Sequence, residues 1–156
     1  MTFKSISGST RVFGLIGHPV RHSLSPKLYN TLFERSAIDA VYLAFDVVPE
    51  KASQVPAIIR TLGIEGVNLT VPFKESIYDD MDSHGSAATL SGAINVVTHR
   101  AGHLVGHNTD GEGFINSLVD DDGPDIKGLS AIILGAGGAA RAIAVSLLSP
   151  VSYTHL

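Results

Sequence analysis

The chain contains no cysteine. That excludes disulfides, thiolate nucleophiles and cysteine-ligated metals, although it does not by itself fix the compartment. It also lacks any run of basic charge. The net charge is −4, from 11 Lys and Arg against 15 Asp and Glu, and the charges are scattered. Without a basic stripe there is no footprint for nucleic acid or an anionic membrane. The segment from Met1 to Gly8 has no long apolar stretch of the kind a secretory signal carries. Ala131 to Val151 is apolar enough to be weighed as a membrane span. Arg141 near its centre would cost about 2.5–3.5 kcal/mol there, and Gly135, Gly137 and Gly138 interrupt its first third. The expectation is a cytoplasmic protein with neither a membrane nor a nucleic-acid partner.

What is present is the composition of an ordinary globular protein: 156 residues, 44% hydrophobic and 17% charged. A chain of this length can bury about 68–70% of its unfolded surface, enough for one domain with part of another. Apolar runs alternate with amphipathic stretches, which predicts an α/β fold with a largely parallel sheet. Strands are expected at Val12–Gly17, Val41–Val48, Val67–Val71, Ala93–Val97 and His103–His107. A helix is predicted from Ser25-Pro26, with serine as N-cap, proline at the first helical position, and Leu28, Tyr29, Leu32 and Phe33 on one face. Pro49 begins another helical stretch that Gly63 ends, Ser83–Ser91 reads as a short helical connection, and a further helix runs from Asp110 to about Val119. The polar interval Asp120 to Asp125 is the best domain boundary. After it, Leu129–Leu134 is expected as a strand and Gly138–Leu148 as a helix, one βα unit of a second, truncated domain. The organisation expected is therefore a domain over 1–123, the start of a nucleotide domain over 124–150, and a tail over 151–156 that continues no pattern and reads as non-native.

Several residues could carry chemistry. The turn Gly135-Ala136-Gly137-Gly138-Ala139-Ala140 lies between a predicted strand and a helix. Bare backbone N–H groups and the positive end of the helix suit a dinucleotide phosphate there, with a plain tight turn as the alternative. Lys74 follows Asn68-Leu69-Thr70-Val71-Pro72-Phe73, so it projects from a strand end, where open α/β sheets bind ligands. A lysine so placed can give and take a proton, but an arbitrary lysine is usually just solvated. Asp110, between a strand and a helix, is first of all an N-cap, and it could also hold the Lys74 ammonium. Ser23 and Ser25 near a helix start suit a small carboxylate, or else only a turn and a cap. Asn95 is an amide in an apolar strand, a residue that more often bonds local backbone than a ligand. Seven histidines invite a metal reading, but Pro19 separates His18 from His22, and His103 and His107 share a predicted strand. With no carboxylate in a metal signature, no metal is expected.

In order along the chain, five blocks resemble shikimate dehydrogenase: Gly17-His18-Pro19 through His22-Ser23-Leu24-Ser25-Pro26, Asn68 to Lys74, Gly92-Ala93-Ile94-Asn95, Asn108-Thr109-Asp110-Gly111, and Gly135 to Arg141. The resemblance spans roughly Phe13 to Leu148. It implies NADPH-dependent reduction of 3-dehydroshikimate to shikimate, a step in aromatic amino acid biosynthesis. Ser23 and Ser25 would then hold the substrate carboxylate, and Thr70, Asn95 and Asp110 the ring hydroxyls. Lys74 would be the general acid, with Asp110 orienting it, so Lys74 and Asp110 are the expected catalytic pair. Gly135, Ala136, Gly137, Gly138 and Ala139 would anchor NADP(H). Val96 and Tyr29 depart from residues common in the family at those positions, and neither is an expected catalytic group. The basic loop that selects NADP and the late residues that complete the pocket are absent, so the chain as it stands is expected not to turn over. A homodimer is left open. An NAD-dependent quinate/shikimate dehydrogenase and a non-catalytic shikimate sensor are the alternatives, and retention of both Lys74 and Asp110 speaks against the sensor.

Overall fold

A computed structural model of the chain describes residues 6–120, 126 and 128–148, with the side chains of Val119 and Asp120 excepted. The boundary expected at 123 and the tail expected at 151–156 lie outside the described residues. Six strands form one sheet: β1 (Arg11–Gly17), β2 (Ala40–Asp46), β3 (Gly66–Leu69), β4 (Ser83–His84), β5 (Val96–Arg100) and β6 (His103–His107), in the order β2-β1-β3-β5-β6-β4. β1 pairs in parallel with β2 and β3, β5 is antiparallel to both β3 and β6, and β4 is parallel to β6. Five strands therefore run one way and β5 alone runs back, so the sheet is mostly parallel. The reversal follows from the Arg100-Ala101-Gly102 turn, which joins β5 and β6 as a hairpin.

The helices are α1 (Ser25–Arg35), α2 (Val55–Thr61), α3 (Phe73–Ser76), α4 (Ser86–Ser91), α5 (Asp110–Asp120) and α6 (Gly138–Leu148). Neighbouring strand residues point to opposite faces, and β1 shows it. Ile16 joins a large core with Ile59, Val67, Phe73, Ile77, Ile94, Val97 and Leu104. Leu15 faces the other way, with Val20 and Tyr42, and α1 covers it with Tyr29 and Phe33. The Tyr29 and Tyr42 rings stack with centroids 4.4 Å apart, and Asn30 fastens α1 to β2 by donating to the Tyr42 carbonyl and accepting the Tyr42 N–H.

Several expectations are corrected. Leu28 and Leu32 do not share the packed face of α1 and are exposed, because the pair lies about 100° round the helix from the pair Tyr29 and Phe33. Leu24, not Ser25, is the N-cap, and its side chain makes no capping bond; Ser23 Oγ instead accepts the Ser25 N–H at 3.2 Å. The helical stretch expected from Pro49 does form, divided into a 3₁₀ segment over Pro49–Gln54 and α2 from Val55-Pro56, where proline has no N–H to continue a helix. β3 ends at Leu69, two residues early, and β5 begins at Val96 rather than Ala93. Ser83–His84 is a short strand and only Ser86–Ser91 is helical. No strand forms over 129–134, although α6 forms as expected. A strand is held by its neighbours' hydrogen bonds, and no described residue pairs with this segment, so Ile132 and Leu134 stay exposed.

α6 rests on α4 and α5. Its approach to α5 is close enough that a Cβ on Gly111 would overlap the Ala142 carbonyl and the Ser146 hydroxyl. Gly111→Ala should gain up to about 1 kcal/mol of helix propensity and lose more, about 1–3 kcal/mol, by forcing the helices apart. A lowered thermal midpoint is expected, and an unchanged or raised one would show that the contact yields freely.

On the far side of the sheet, Asp82 Oδ2 accepts the Leu104 N–H at 2.7 Å and an Arg60 Nη2 hydrogen at 2.8 Å. The Leu104 amide, seconded by Arg60, holds the Asp82 carboxyl below its ordinary range. A carboxyl lowered in the folded state stabilises the fold above its unfolded value and loses that contribution as pH falls through the folded one. Asp82→Asn should therefore be less stable than the parent at neutral pH, with the gap closing below about pH 4. Urea midpoints across that range measure it, and a gap independent of pH would contradict it.

Candidate active site

The reversed strand decides where the polar residues meet. β1, β3 and β6 deliver their C-terminal ends to one edge of the sheet, and β5, running back, delivers its start to the same edge. Asn95, just before β5, thus lies beside Leu69 at the end of β3 and Asn108 just past β6; the Leu69 N–H donates to the Asn95 carbonyl and the Asn95 N–H to that of His107. The loops after β1 and β3 are tied together where the His18 N–H meets the Val71 carbonyl at 2.9 Å. Phe73, fully buried, anchors the turn of helix after Pro72, and the Lys74 carbonyl accepts the Ile94 N–H. Lys74 accordingly rises from a short helix, α3, and not directly from a strand end.

Lys74 Nζ donates to Asp110 Oδ2 at 2.6 Å, with the two side chains 22% and 23% exposed. The other carboxylate oxygen, Oδ1, accepts from Asn95 Nδ2 at 2.7 Å. Asn95 Nδ2 also donates to Thr109 Oγ1, and its Oδ1 accepts the Thr109 N–H at 2.9 Å. Asn95 therefore does more than satisfy backbone: it clamps the loop that carries Asp110. Asp110 is the first residue of α5, yet it spends neither oxygen on capping. Asn108 does that work, accepting the Asp110 N–H at 3.0 Å and donating to the Ala93 carbonyl and to Ser91 Oγ. An exposed ion pair is worth about 0–1 kcal/mol, and breaking a buried one costs about 3–5 kcal/mol. At this exposure the Lys74–Asp110 pair falls between those limits, and water still reaches it.

Ser23 and Thr70, in the loops at this same edge, and Ser25, at the start of α1, are partly buried. The Thr70 N–H donates to the Ile16 carbonyl, continuing the ladder one residue past β3. Asn68, on β3, accepts the Tyr42 hydroxyl at 2.7 Å through Oδ1. Burial, with Tyr29 next in effect, pushes the Tyr42 hydroxyl up, so it stays a donor. Sequence reasoning passed over Asn68, Tyr42, Ser91 and Asn108. For Asn108 a signal existed, an amide two residues before a helix start; for Tyr42 there was none.

The glycine turn leads into α6, a helix of 11 residues. Residues 131–137 are exposed and Gly138 is buried. The backbone at Gly135, Ala136 and Gly137 is thus open at the positive end of a helix, which fits an anionic diphosphate. The Gly138 N–H is already taken, since it donates to Glu75 Oε1 at 2.7 Å. Among the described residues no group of three or more His, Asp or Glu could hold a metal ion, and no helix is long and apolar enough to cross a membrane. A groove between α1 and β2, lined by Pro26, Lys27, Glu34 and Val41 among others, holds none of the site residues above.

Residues 15–97 match the family model described as the shikimate dehydrogenase substrate binding domain. The chain is 46% identical over 142 residues to a shikimate dehydrogenase (NADP(+)) of Caldanaerobacter subterraneus, covering 91% of this chain and 50% of that protein. Its fold matches the crystal structure of shikimate dehydrogenase from Aquifex aeolicus with a TM-score of 0.87 at 41% identity, covering 92% of this chain and 54% of that one. It also matches shikimate 5-dehydrogenase from Listeria monocytogenes in complex with shikimate and NAD, with a TM-score of 0.85 at 40% identity over 94% of this chain and 50% of that one. The chain spans about half the length of the curated relatives it matches. A sheet edge that gathers Lys74, Asn95 and Asp110, together with a family match over more than half its residues, makes this chain a member of the shikimate dehydrogenase substrate-binding domain family.

Proposed function

We propose that the chain is the substrate-binding half of an NADP-dependent shikimate dehydrogenase, which reduces 3-dehydroshikimate to shikimate in aromatic amino acid biosynthesis. The observation that carries this reading is the 2.6 Å contact of Lys74 Nζ with Asp110, the carboxylate itself held by Asn95. A sensor of the same ligand needs shape and hydrogen bonds but no poised proton donor, so this pair favours the enzyme. NADP fits the names of the relatives, which are shikimate dehydrogenases (NADP(+)).

Reduction of a ring ketone needs a hydride at carbon and a proton at oxygen, and NADPH when bound supplies the hydride. Lys74 Nζ gives the proton, and its charge offsets the negative charge that develops on oxygen. In the reverse direction neutral Lys74 takes the hydroxyl proton. Asp110 aims the ammonium and accepts one of its three hydrogens, leaving the others for the substrate oxygen. Ser23, in the loop before α1, and Ser25, the first residue of α1, donate to the substrate carboxylate; Ser23 Oγ already accepts the Ser25 N–H and so keeps its own hydrogen for the ligand. Thr70, Asn95 and Asp110 meet the ring hydroxyls, and for Asn95 this requires one of the two bonds its Nδ2 makes to Thr109 and Asp110 to be shared with the ligand. Gly135, Ala136, Gly137 and Ala139 hold the diphosphate.

Calorimetric titration of this chain with shikimate tests the pocket, and saturable binding is expected with quinate weaker. A chain completed to the length of its relatives that folds and binds neither would remove the substrate assignment. In a chain completed to the length of its relatives, Lys74→Ala should retain shikimate binding and lose at least about 10²-fold in kcat. Unaltered kcat would take Lys74 out of the mechanism.

A further inference from the structure

Lys74 and Glu75 are consecutive in one helical turn, α3, and their side chains part company. Lys74 reaches Asp110. Glu75 reaches α6, where Oε1 accepts the Gly138 N–H at 2.7 Å and Oε2 pairs with Arg141 Nη2 at 2.5 Å. Gly138 lies so close to the site floor that a Cβ on it would stand 2.9 Å from Ala93 Cβ and 3.3 Å from Lys74 Cβ. The start of the helix that carries the glycine turn thus abuts the stem of the lysine.

A lone carboxylate at a helix N-terminus is favourable for the helix but would oppose an incoming phosphate. Arg141, in the first turn of the same helix, cancels that charge. Its Nη2 is in the Glu75 pair, while its Nε is buried with no hydrogen-bond partner among the described residues. Glu75 is therefore a counter-charge for Arg141 and a cap for α6 together.

We infer that Glu75 is a positioning residue that registers the cofactor turn against Lys74. Through the Gly138 N–H and Arg141 it fixes the origin of α6 relative to α3, so that the groups delivering hydride and proton meet the same carbonyl. The role rests on the reductase reading above. It differs from mere adhesion between helices, because α6 is already packed on α4 and α5 without Glu75. Glutamine at position 75 keeps an acceptor for the Gly138 N–H and loses the charge, whereas alanine loses both.

Two measurements test it. In this chain, hydrogen exchange at the Gly138 amide should quicken about tenfold or more in Glu75→Ala and much less in Glu75→Gln, as loss of a charge-assisted bond requires. In a chain completed to the length of its relatives, Glu75→Ala should lower kcat by about 10–10²-fold, with shikimate binding by calorimetry unchanged and Glu75→Gln recovering much of the loss. No turnover by the unsubstituted protein overturns the reductase reading and this role with it. Turnover that Glu75→Ala leaves unaltered overturns the role alone. Loss of shikimate binding together with kcat in Glu75→Ala also overturns it, in favour of a general support of the fold.

Discussion

A carboxylate that is three-quarters covered must have both oxygens answered, and Asp110 meets that demand in a way that organises everything near it. Lys74 answers one oxygen and Asn95 the other. Lys74 follows β3 and Asn95 precedes β5, so the carboxylate at the start of α5 can be satisfied only if those strands lie side by side with their opposite ends together. The antiparallel pairing of β3 with β5 supplies that arrangement. Had β5 run with the others, Asn95 would stand at the far edge of the sheet and Asp110 would keep an unpaired oxygen. Desolvating a charged group without a partner costs several kcal/mol, comparable to the whole stability of a domain.

Around this centre the pair is supported in turn by buried side chains, polar in Asn108 and Ser91 and apolar in Phe73. Asn108 fixes the backbone at Asp110, Ser91 and the Ala93 carbonyl fix Asn108, and Phe73 fixes the turn beneath Lys74. Such networks are stabilising only when nearly every member is satisfied. A second ionic set, Glu75 with Arg141, sits one residue from the first and belongs to α6. The two sets share the short α3, which makes that single turn the mechanical link between the substrate loops and the glycine turn.

Much of this was legible beforehand. The apolar runs of β1, β2 and β6 and the amphipathic stretches of α1 and α5 gave their positions to within a few residues, because hydrophobic periodicity reflects which face is buried. The resemblance carried Lys74, Asp110, Asn95 and the glycine turn into one expectation. The errors cluster where tertiary context outweighs local pattern. Ser25 looked like a cap, but Ser23 makes the local bond to the backbone there. Leu28 and Leu32 looked buried, but α1 turns Tyr29, Asn30 and Phe33 to the sheet instead. Leu129–Leu134 has a strand's composition and no strand among the described residues to pair with, so composition alone misled.

The sequence by itself determined the order of elements, the apolar faces, the turn that reverses β5 and the chemistry available to each side chain. These depend on residues near one another along the chain, through propensity, periodicity and turn geometry. Only the tertiary structure decided that Asp110 spends both oxygens on Lys74 and Asn95 instead of capping its own helix, and that Glu75 turns away from Lys74 to cap α6. Those choices are settled by competition among partners that are 15, 36 and 63 residues apart. Burial chooses the winner, because each charge withdrawn from water must find the nearest group able to replace it.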